Sequence, residues 1–487
     1  MIQTIGRRTG PPGYDPRPMD GSTAGSVPSA SGTAGPILVH ALRGAFGLPC
    51  AERLRSLEPE ARRQLVRGRE HGLPLVVATA HAQLAAAHGA DDDVAAALRH
   101  RNSALSYLAR GHDAPDDERL GPLLWIGLVD WAVLGDVRGA RDRLARAAVL
   151  ARGDEQRSVV IPTLAIRSLA SAVAGDLAGA DATIREAVAL ARECGDPLLL
   201  ALALATLARH RNTGGERDAA LRAGEELLAL RPRVEEPARL DALAAWGLAP
   251  ARLAAGDLAG CRALIEPATA PERLAQLQPM ARALLLGTRV RLAVRRDDRA
   301  DALDQLALLE RLGFSQQPLG RAFARMTSAH VALADDRPLN AEASATAAAE
   351  EARRASSRLL ELRALLIAGR AQQALGAPDV AAERFGEAEA IARSIGAGDA
   401  ADRAAAERRA SGGSYAERPA PGAYGLTPRQ FEIAQLVAGG ATNREVAAVL
   451  GISEHTVNTH LRVAFSRLGV TRRTALATAL EQRLRAS

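Results

Sequence analysis

His455, Asn458, Thr459, Arg462 and Ser466 follow one another at steps of 3, 1, 3 and 4, a spacing that gathers side chains on one face of a helix. An imidazole, an amide, two hydroxyls and a guanidinium so arranged make hydrogen bonds; none is placed as an activated nucleophile. Arg can donate two bonds to a guanine edge, and Asn can pair in the same bidentate way with adenine. The chemistry on offer is therefore the reading of base edges. Val457, Leu461, Ala464, Phe465 and Leu468, at steps of 4, 3, 1 and 3, form the opposite, apolar face, which is the face a helix turns toward a core.

Three further elements must position that helix. Thr427 can cap a helix that begins at Pro428, with Gln430 closing a Thr-x-x-Gln capping box and Gly439 and Gly440 as the stop. Thr442 opens the next helix, Glu445 closes a second box, and Gly451 ends it. Ser453 caps the polar-faced helix, which runs to Leu468 and stops at Gly469, and Thr471 starts a fourth. Each cap contributes roughly 1 kcal/mol, a sizeable share of the stability of so small a unit. Two short helices joined by a turn of Gly451, Ile452 and Ser453, the second with an exposed polar face, form a helix-turn-helix. From Tyr424 to Ser487 there are eight Arg against four Glu, a net charge of +4, where the whole chain carries only +6. A charge excess so concentrated is the footprint of a phosphate-binding module.

The segment closely resembles the LuxR-type (GerE-type) helix-turn-helix of bacterial transcription regulators. The resemblance rests on Leu426 to Gln430 (LTPRQ), on Asn443, Glu445, Val446 and Ala447, and on Leu450, Ile452 and Ser453. It continues through Thr456, Val457 and His460 to Leu468, Gly469 and Val470. It implies base-reading positions at Asn458, Thr459 and Arg462, with phosphate contacts near Thr442, Asn443, Ser453, Thr456 and Arg467. Two departures stand out: the family often has Lys where this chain has Asn458, and Glu where it has Gln430. Asn458 changes the expected target, since an Asn–adenine pair discriminates by about 1–3 kcal/mol. His460 reads as a buried structural residue beside Val457. The resemblance also implies dimerisation through the last helix, here by Leu476, Ala479 and Leu480, so that two reading helices meet a two-fold symmetric site.

Upstream the chain has a rhythm of its own. Gly-Asp or a near equivalent recurs at Gly135, Gly175, Gly215, Gly256, Arg296, Asp335 and Gly376, at intervals of 40, 40, 41, 40, 39 and 41, with a weaker copy at Gly89. Between these anchors lie two Ala/Leu/Arg-rich helical segments, such as Val137 to Ala151 and Gln156 to Ala174. A period of about 40 with two helices per unit predicts an α-solenoid of tetratricopeptide or related type. Each Gly ends one helix and the acidic residue after it favours the start of the next. Helical repeats followed by such a reader resemble the C-terminal half of the large ATP-binding LuxR regulators. The nucleotide-binding module of those regulators has no counterpart, because all 62 basic residues are Arg and a P-loop needs lysine. The expectation is thus the architecture without the ATP switch, with no cofactor.

Other chemistry finds little support. His81 and His88 lie seven apart with Asp91, Asp92 and Asp93 nearby, yet no H-E-x-x-H or comparable ligand set completes a metal site. The acidic run reads as a solvated helix start. Trp125, Trp131 and Trp246 could line a pocket or partner groove, and helix packing explains them as well. There is neither a nucleophile elbow nor a glycine-rich phosphate loop, so no catalytic residue is expected. Aromatics make up 3% of the chain, too few for a single-strand stacking surface in the repeats. Cys50, Cys194 and Cys261 lack paired spacing and read as reduced cysteines of a cytoplasmic protein. The N-terminus has no signal-peptide core, and the longest apolar run, Leu198 to Ala208, is too short for a bilayer.

The chain accordingly reads as all-α: a TPR-like α-solenoid followed by a four-helix LuxR-type helix-turn-helix domain. Residues 1–36 form a disordered tail, 37–409 the solenoid, 410–424 a flexible linker and 425–487 the DNA-binding domain. The expected function is sequence-specific reading of double-stranded DNA by a homodimer, with helix 454–468 in the major groove. The repeats would receive RNA polymerase, another protein or a small-molecule inducer. The rival is a solenoid interaction scaffold with a vestigial DNA-binding domain.

Overall fold

The computed structural model describes residues 51–151, 157–235, 237–412, 426, 428–450, 454–470, 472, 473, 475, 476 and 479. Among them there are helices and turns and no strand. The disordered tail expected at 1–36 and the part of the expected linker beyond Gly412 lie outside these residues.

After Glu58–Glu70, the chain doubles back in helical hairpins. The first pairs Pro74–Ala90 with Val94–Arg110; in the second, Asp116–Val129 and a π-helical turn at Asp130–Leu134 precede Val137–Leu150. Arg157–Ala174 then pairs with Leu177–Cys194, Pro197–Gly214 with Arg217–Ala229, and Pro237–Gly247 plus Ala249–Ala255 with Leu258–Ala268. The series closes with Pro279–Arg295 and Arg299–Arg311, Pro318–Ala334 and Pro338–Arg354, Arg358–Ala374 and Pro378–Ser394, then Gly398–Ala410 alone.

The recurring Gly-Asp is the hinge of each hairpin. Gly135, Gly175, Gly215, Gly256 and Gly376 all have positive φ, the left-handed turn that ends a helix and that glycine enters without a Cβ clash. The Asp that follows then caps the second helix: Asp136, Asp176 and Asp257 accept hydrogen bonds from the N–H groups of Gly139, Gly179 and Gly260 at 2.9, 2.9 and 2.8 Å. Where glycine is missing, the phase differs from the sequence expectation by one residue. Asp297 and Asp336, at φ 57° and 53°, take the left-handed position, one residue after the anchors Arg296 and Asp335. Asp92 does the same at φ 63° in the weak copy, three residues beyond Gly89. Aspartate tolerates this region because its short polar side chain can bond locally.

The two helices of a hairpin differ in exposure. Pro197–Gly214 buries Leu198, Leu199, Ala201, Leu202, Ala203, Leu204, Ala205, Thr206, Ala208 and His210, whereas Arg217–Ala229 buries Ala220, Ala223, Gly224 and Leu227. A helix apolar on all sides belongs inside, and one with a single apolar stripe belongs outside. The apolar run at Leu198 is thus an inner helix, and no helix among the described residues is long and apolar enough to cross a membrane.

The inner helices curve far enough for the solenoid to meet itself. The Gly313 N–H donates to Asp92 Oδ2 at 2.8 Å, and Arg282 Nη2 donates to the Ala90 carbonyl at 3.1 Å. Ser357 Oγ donates to the Val173 carbonyl at 3.0 Å, and Arg138 Nη2 to Ser356 Oγ at 3.2 Å. These partners are separated by 192 to 221 residues at the first pair of contacts and by 184 and 218 at the second. One superhelical turn therefore takes about five repeats, and one core runs without interruption from Ala51 to Ala404. Asp91 pairs with Arg55, Asp92 clasps Gly313 and Asp93 caps Val94–Arg110. The acidic run is a helix start as expected, but Asp92 is a seam contact and not a solvated residue.

Trp125, Trp131 and Trp246 are all buried; Trp125 packs in the core, while Trp131 and Trp246 also border a space inside the solenoid. His81 Nδ1 lies 2.9 Å from His100 Nδ1, and His88 stacks on His100. No group of three metal-binding side chains occurs among the described residues. Cys194 and Cys261 are free, and burial pushes the Cys261 thiol up to about 11, which keeps it protonated.

Candidate nucleic-acid interface

Pro428–Ala438, Asn443–Leu450 and Glu454–Leu468 enclose a second core, built from Leu426, Ile433, Ala434, Val437, Val446, Ala447, Val457, Leu461, Ala464, Leu468 and Leu476. It is separate from the solenoid core. The apolar face of Glu454–Leu468 is buried as its spacing requires, with Phe465 packed at the margin. His460 is 6% exposed and Gln430 likewise 6%, so both serve the inside of the domain.

The stop and start signals operate locally. Gly440 and Gly469 have φ of 97° and 70°, and the Ala441 and Val470 N–H groups reach back to the carbonyls of Leu436 and Phe465. The Thr442 N–H donates to Glu445 Oε2 at 2.7 Å while the Glu445 N–H donates to Thr442 Oγ1 at 3.3 Å, a reciprocal capping box. The hydrogen bond from the Thr442 N–H holds the Glu445 carboxyl below the usual carboxylate range. Thr442→Ala should therefore loosen Asn443–Leu450 by about 1 kcal/mol, a roughly five-fold faster amide exchange across that helix with the solenoid amides unchanged. Unaltered exchange there would mean that the box contributes nothing to the helix. The boxes and caps expected at Thr427 and Ser453 lie outside the described residues.

Of the candidate base readers, Asn458 and Arg462 are exposed on the face opposite the core; the Thr459 side chain lies outside the described residues. Asn458 Oδ1 accepts from Asn443 Nδ2 at 2.6 Å, and Asn443 Oδ1 in turn accepts from Arg473 Nη1 at 2.9 Å. Arg473 also donates to the Ala441 carbonyl. A polar strip thus crosses from the reading helix to the helix before it, bringing Asn443 and Asn458 together and adding Arg473. Sequence reasoning counted Arg473 only as charge; its place one residue beyond another Arg, just after Gly469 and Val470, was the available signal. Of the other phosphate candidates, Thr442 is exposed, while Ser453 and the side chains of Thr456 and Arg467 lie outside the described residues. Arg462, 63% exposed, pairs with Glu350 of Pro338–Arg354 at 3.3 Å. An exposed pair contributes at most about 1 kcal/mol, too little by itself to withhold the helix from a duplex.

Of the residues expected on the dimer helix, Leu476 is fully buried in the core of its own domain. Ala479 is half-exposed, and Leu480 lies outside the described residues.

Residues 425–480 match the family described as bacterial regulatory proteins, luxR family (GerE). The C-terminal segment is a LuxR-type domain. A search of curated proteins finds no significant match to the chain. That match, over the C-terminal domain, supports a DNA-binding regulator of the LuxR type. That family is a regulatory, DNA-binding one.

Proposed function

We propose that the LuxR-type domain reads a specific double-stranded site by laying helix Glu454–Leu468 in the major groove. The observation that carries this reading is the exposure of Asn458 and Arg462 on a helix whose other face is locked into the domain core. Asn458, Thr459 and Arg462 supply base contacts; Thr442, Asn443, Ser453, Thr456 and Arg467 position the phosphates. The domain acts as a homodimer on a two-fold symmetric site. Residues 37–409 receive the signal, a ligand or a protein such as RNA polymerase, and 410–424 connect them to the reader. The setting is cytoplasmic.

Selection of random duplexes by the full chain at one fixed salt concentration tests the reading, since phosphate contacts make affinity steeply salt-dependent. A recovered motif is expected. Arg462→Ala should then lower affinity for that motif by about 1–3 kcal/mol and relax one base position. Undiminished binding removes Arg462 from the reading set, and the absence of any motif promotes the scaffold reading.

A further inference from the structure

Closure of the solenoid leaves a space inside it. From Gly175 to Gly376, the residue six positions before the left-handed residue of each hairpin turn faces that space: Leu169, Arg209, Pro250, Arg291, His330 and Arg370 precede Gly175, Gly215, Gly256, Asp297, Asp336 and Gly376. Two helical turns further back, Leu284, Phe323 and Arg363 face it from the same inner helices. The repeat thus sends one column of side chains from successive helices into a common cavity of about 260 Å³. Trp131, Trp246, Phe314 and Phe323 supply its aromatic wall, with Met280 and Met326. Among the described residues no Asp or Glu lines it.

The charges in this cavity are all of one sign. Arg370 is answered by Glu407, whose carboxylate takes both its Nε and Nη2. Arg403, a fifth lining arginine, donates from Nε to the Asp399 carbonyl at 3.3 Å. The remaining three have no carboxylate. Arg209 donates to the Trp246 carbonyl at 2.9 Å and lies 4.9 Å over the Trp246 ring; Arg291 reaches the Gly287 carbonyl and Thr288 Oγ1, each at 3.2 Å. Arg363 has no hydrogen bond or ion pair with any described residue. Burial pulls the Arg209 guanidinium down to about 9 and Arg363 to about 10, and His330 down to about 4 with help from the neighbouring arginines. Buried charge without a counter-charge is costly, and apolar residues would fill the same positions more stably. Three guanidiniums around an apolar hollow are explained if the missing charge arrives with a ligand, since a planar fork binds a carboxylate or phosphate with paired hydrogen bonds.

We propose that the closed solenoid binds a small amphipathic organic anion, its single anionic head group held by Arg209, Arg291 and Arg363 and its aromatic or aliphatic body packed among Trp131, Trp246 and Phe323. Its regulatory meaning rests on the DNA-reader reading; the binding site does not, and the two are tested apart.

The test titrates the full chain, without DNA, with anilinonaphthalene sulfonate and with its neutral counterpart phenylnaphthylamine by calorimetry. One sulfonate per chain is expected, bound about tenfold or more tighter than the neutral ring system, the difference a charge-assisted hydrogen bond makes. Arg363→Met should weaken the sulfonate about tenfold, leave the neutral probe unchanged and raise the melting temperature of the free chain. A residue needed only for packing would lower that temperature. Equal affinity for the two probes, binding at several weak sites, or a folded Arg363→Met chain that keeps its sulfonate affinity would each overturn the proposal. If Arg363→Met does not fold, Arg209→Met decides by the same criteria. Repeating the duplex titration with the sulfonate bound then tests its role: a shift in DNA affinity supports regulation through the cavity, and an unchanged affinity overturns that role.

Discussion

Asp130→Ala should lower the unfolding free energy of the solenoid by about 3–5 kcal/mol. Asp130 is wholly buried, in the π-helical turn at Asp130–Leu134. Arg101 Nε donates to its Oδ1 at 2.6 Å, Arg143 Nη1 donates to Oδ2, and Arg101 also reaches Asp136. Burial pushes the Asp130 carboxyl up to about 6 against the pull of Arg143 and Arg101, so at neutral pH it is ionised. Alanine would leave the largely buried Arg143, 20% exposed, without the Asp130 carboxylate, and Arg101, 13% exposed, with Asp136 alone. Asymmetry of this kind makes removal of one buried partner far more damaging than the pair's net contribution. The comparison is Glu58→Ala, which breaks the exposed i,i+4 pair with Arg62 and should cost under about 1 kcal/mol. Urea unfolding followed by tryptophan emission reads both, since Trp131 adjoins Asp130. Equal small losses in the two variants would mean that the buried network holds the fold no better than a surface pair.

Gly175→Ala should be the more damaging of two substitutions that look alike in sequence. Gly175 and Gly256 both begin a GDLAG run, and both have positive φ, 110° and 84°. A side chain in either conformation costs on the order of 1–3 kcal/mol. A Cβ on Gly256 meets nothing within 4 Å, whereas one on Gly175 would lie 2.8 Å from Ile395 Cγ2 and 2.9 Å from Arg358 Cβ. Arg358 Cβ is tied to its backbone and cannot swing away, so the seam between turns must part. Overpacking of that kind adds about 1–3 kcal/mol, and Gly175→Ala should exceed Gly256→Ala by that amount in thermal unfolding. Small-angle scattering should show a larger radius for Gly175→Ala alone. Identical losses and an unchanged radius would mean that the seam does not hold the superhelix closed.

These glycines show where sequence was legible and where it was not. The hinge role of Gly-Asp could be read because it is local: a left-handed turn favours glycine, and the next residue's carboxylate caps the N–H three residues on. The phase slip at Asp297 and Asp336 could not, because aspartate serves both as turn residue and as cap and the sequence does not say which. The role of Gly175 in a seam depends on Ile395 and Arg358, about 200 residues on, and no local pattern records that partner.

The same division holds at the two sites. Helix boundaries, the buried face of Glu454–Leu468, the capping box at Thr442 and the exposed face with Asn458 and Arg462 follow from periods of three and four residues and from caps. Each is decided within one turn of helix, so the sequence alone determined them. The burial of Leu476 in the second core depends on the other helices of that domain, and no pattern within its own turn of helix records it. The arginines at 209, 291 and 363 are unremarkable in sequence, one basic residue among apolar ones in helices of mixed composition. Only the curvature of successive repeats brings them around one hollow with no carboxylate. Curvature is a sum of small packing angles between neighbouring hairpins, accumulated over the whole solenoid, and that sum exists only in the folded chain.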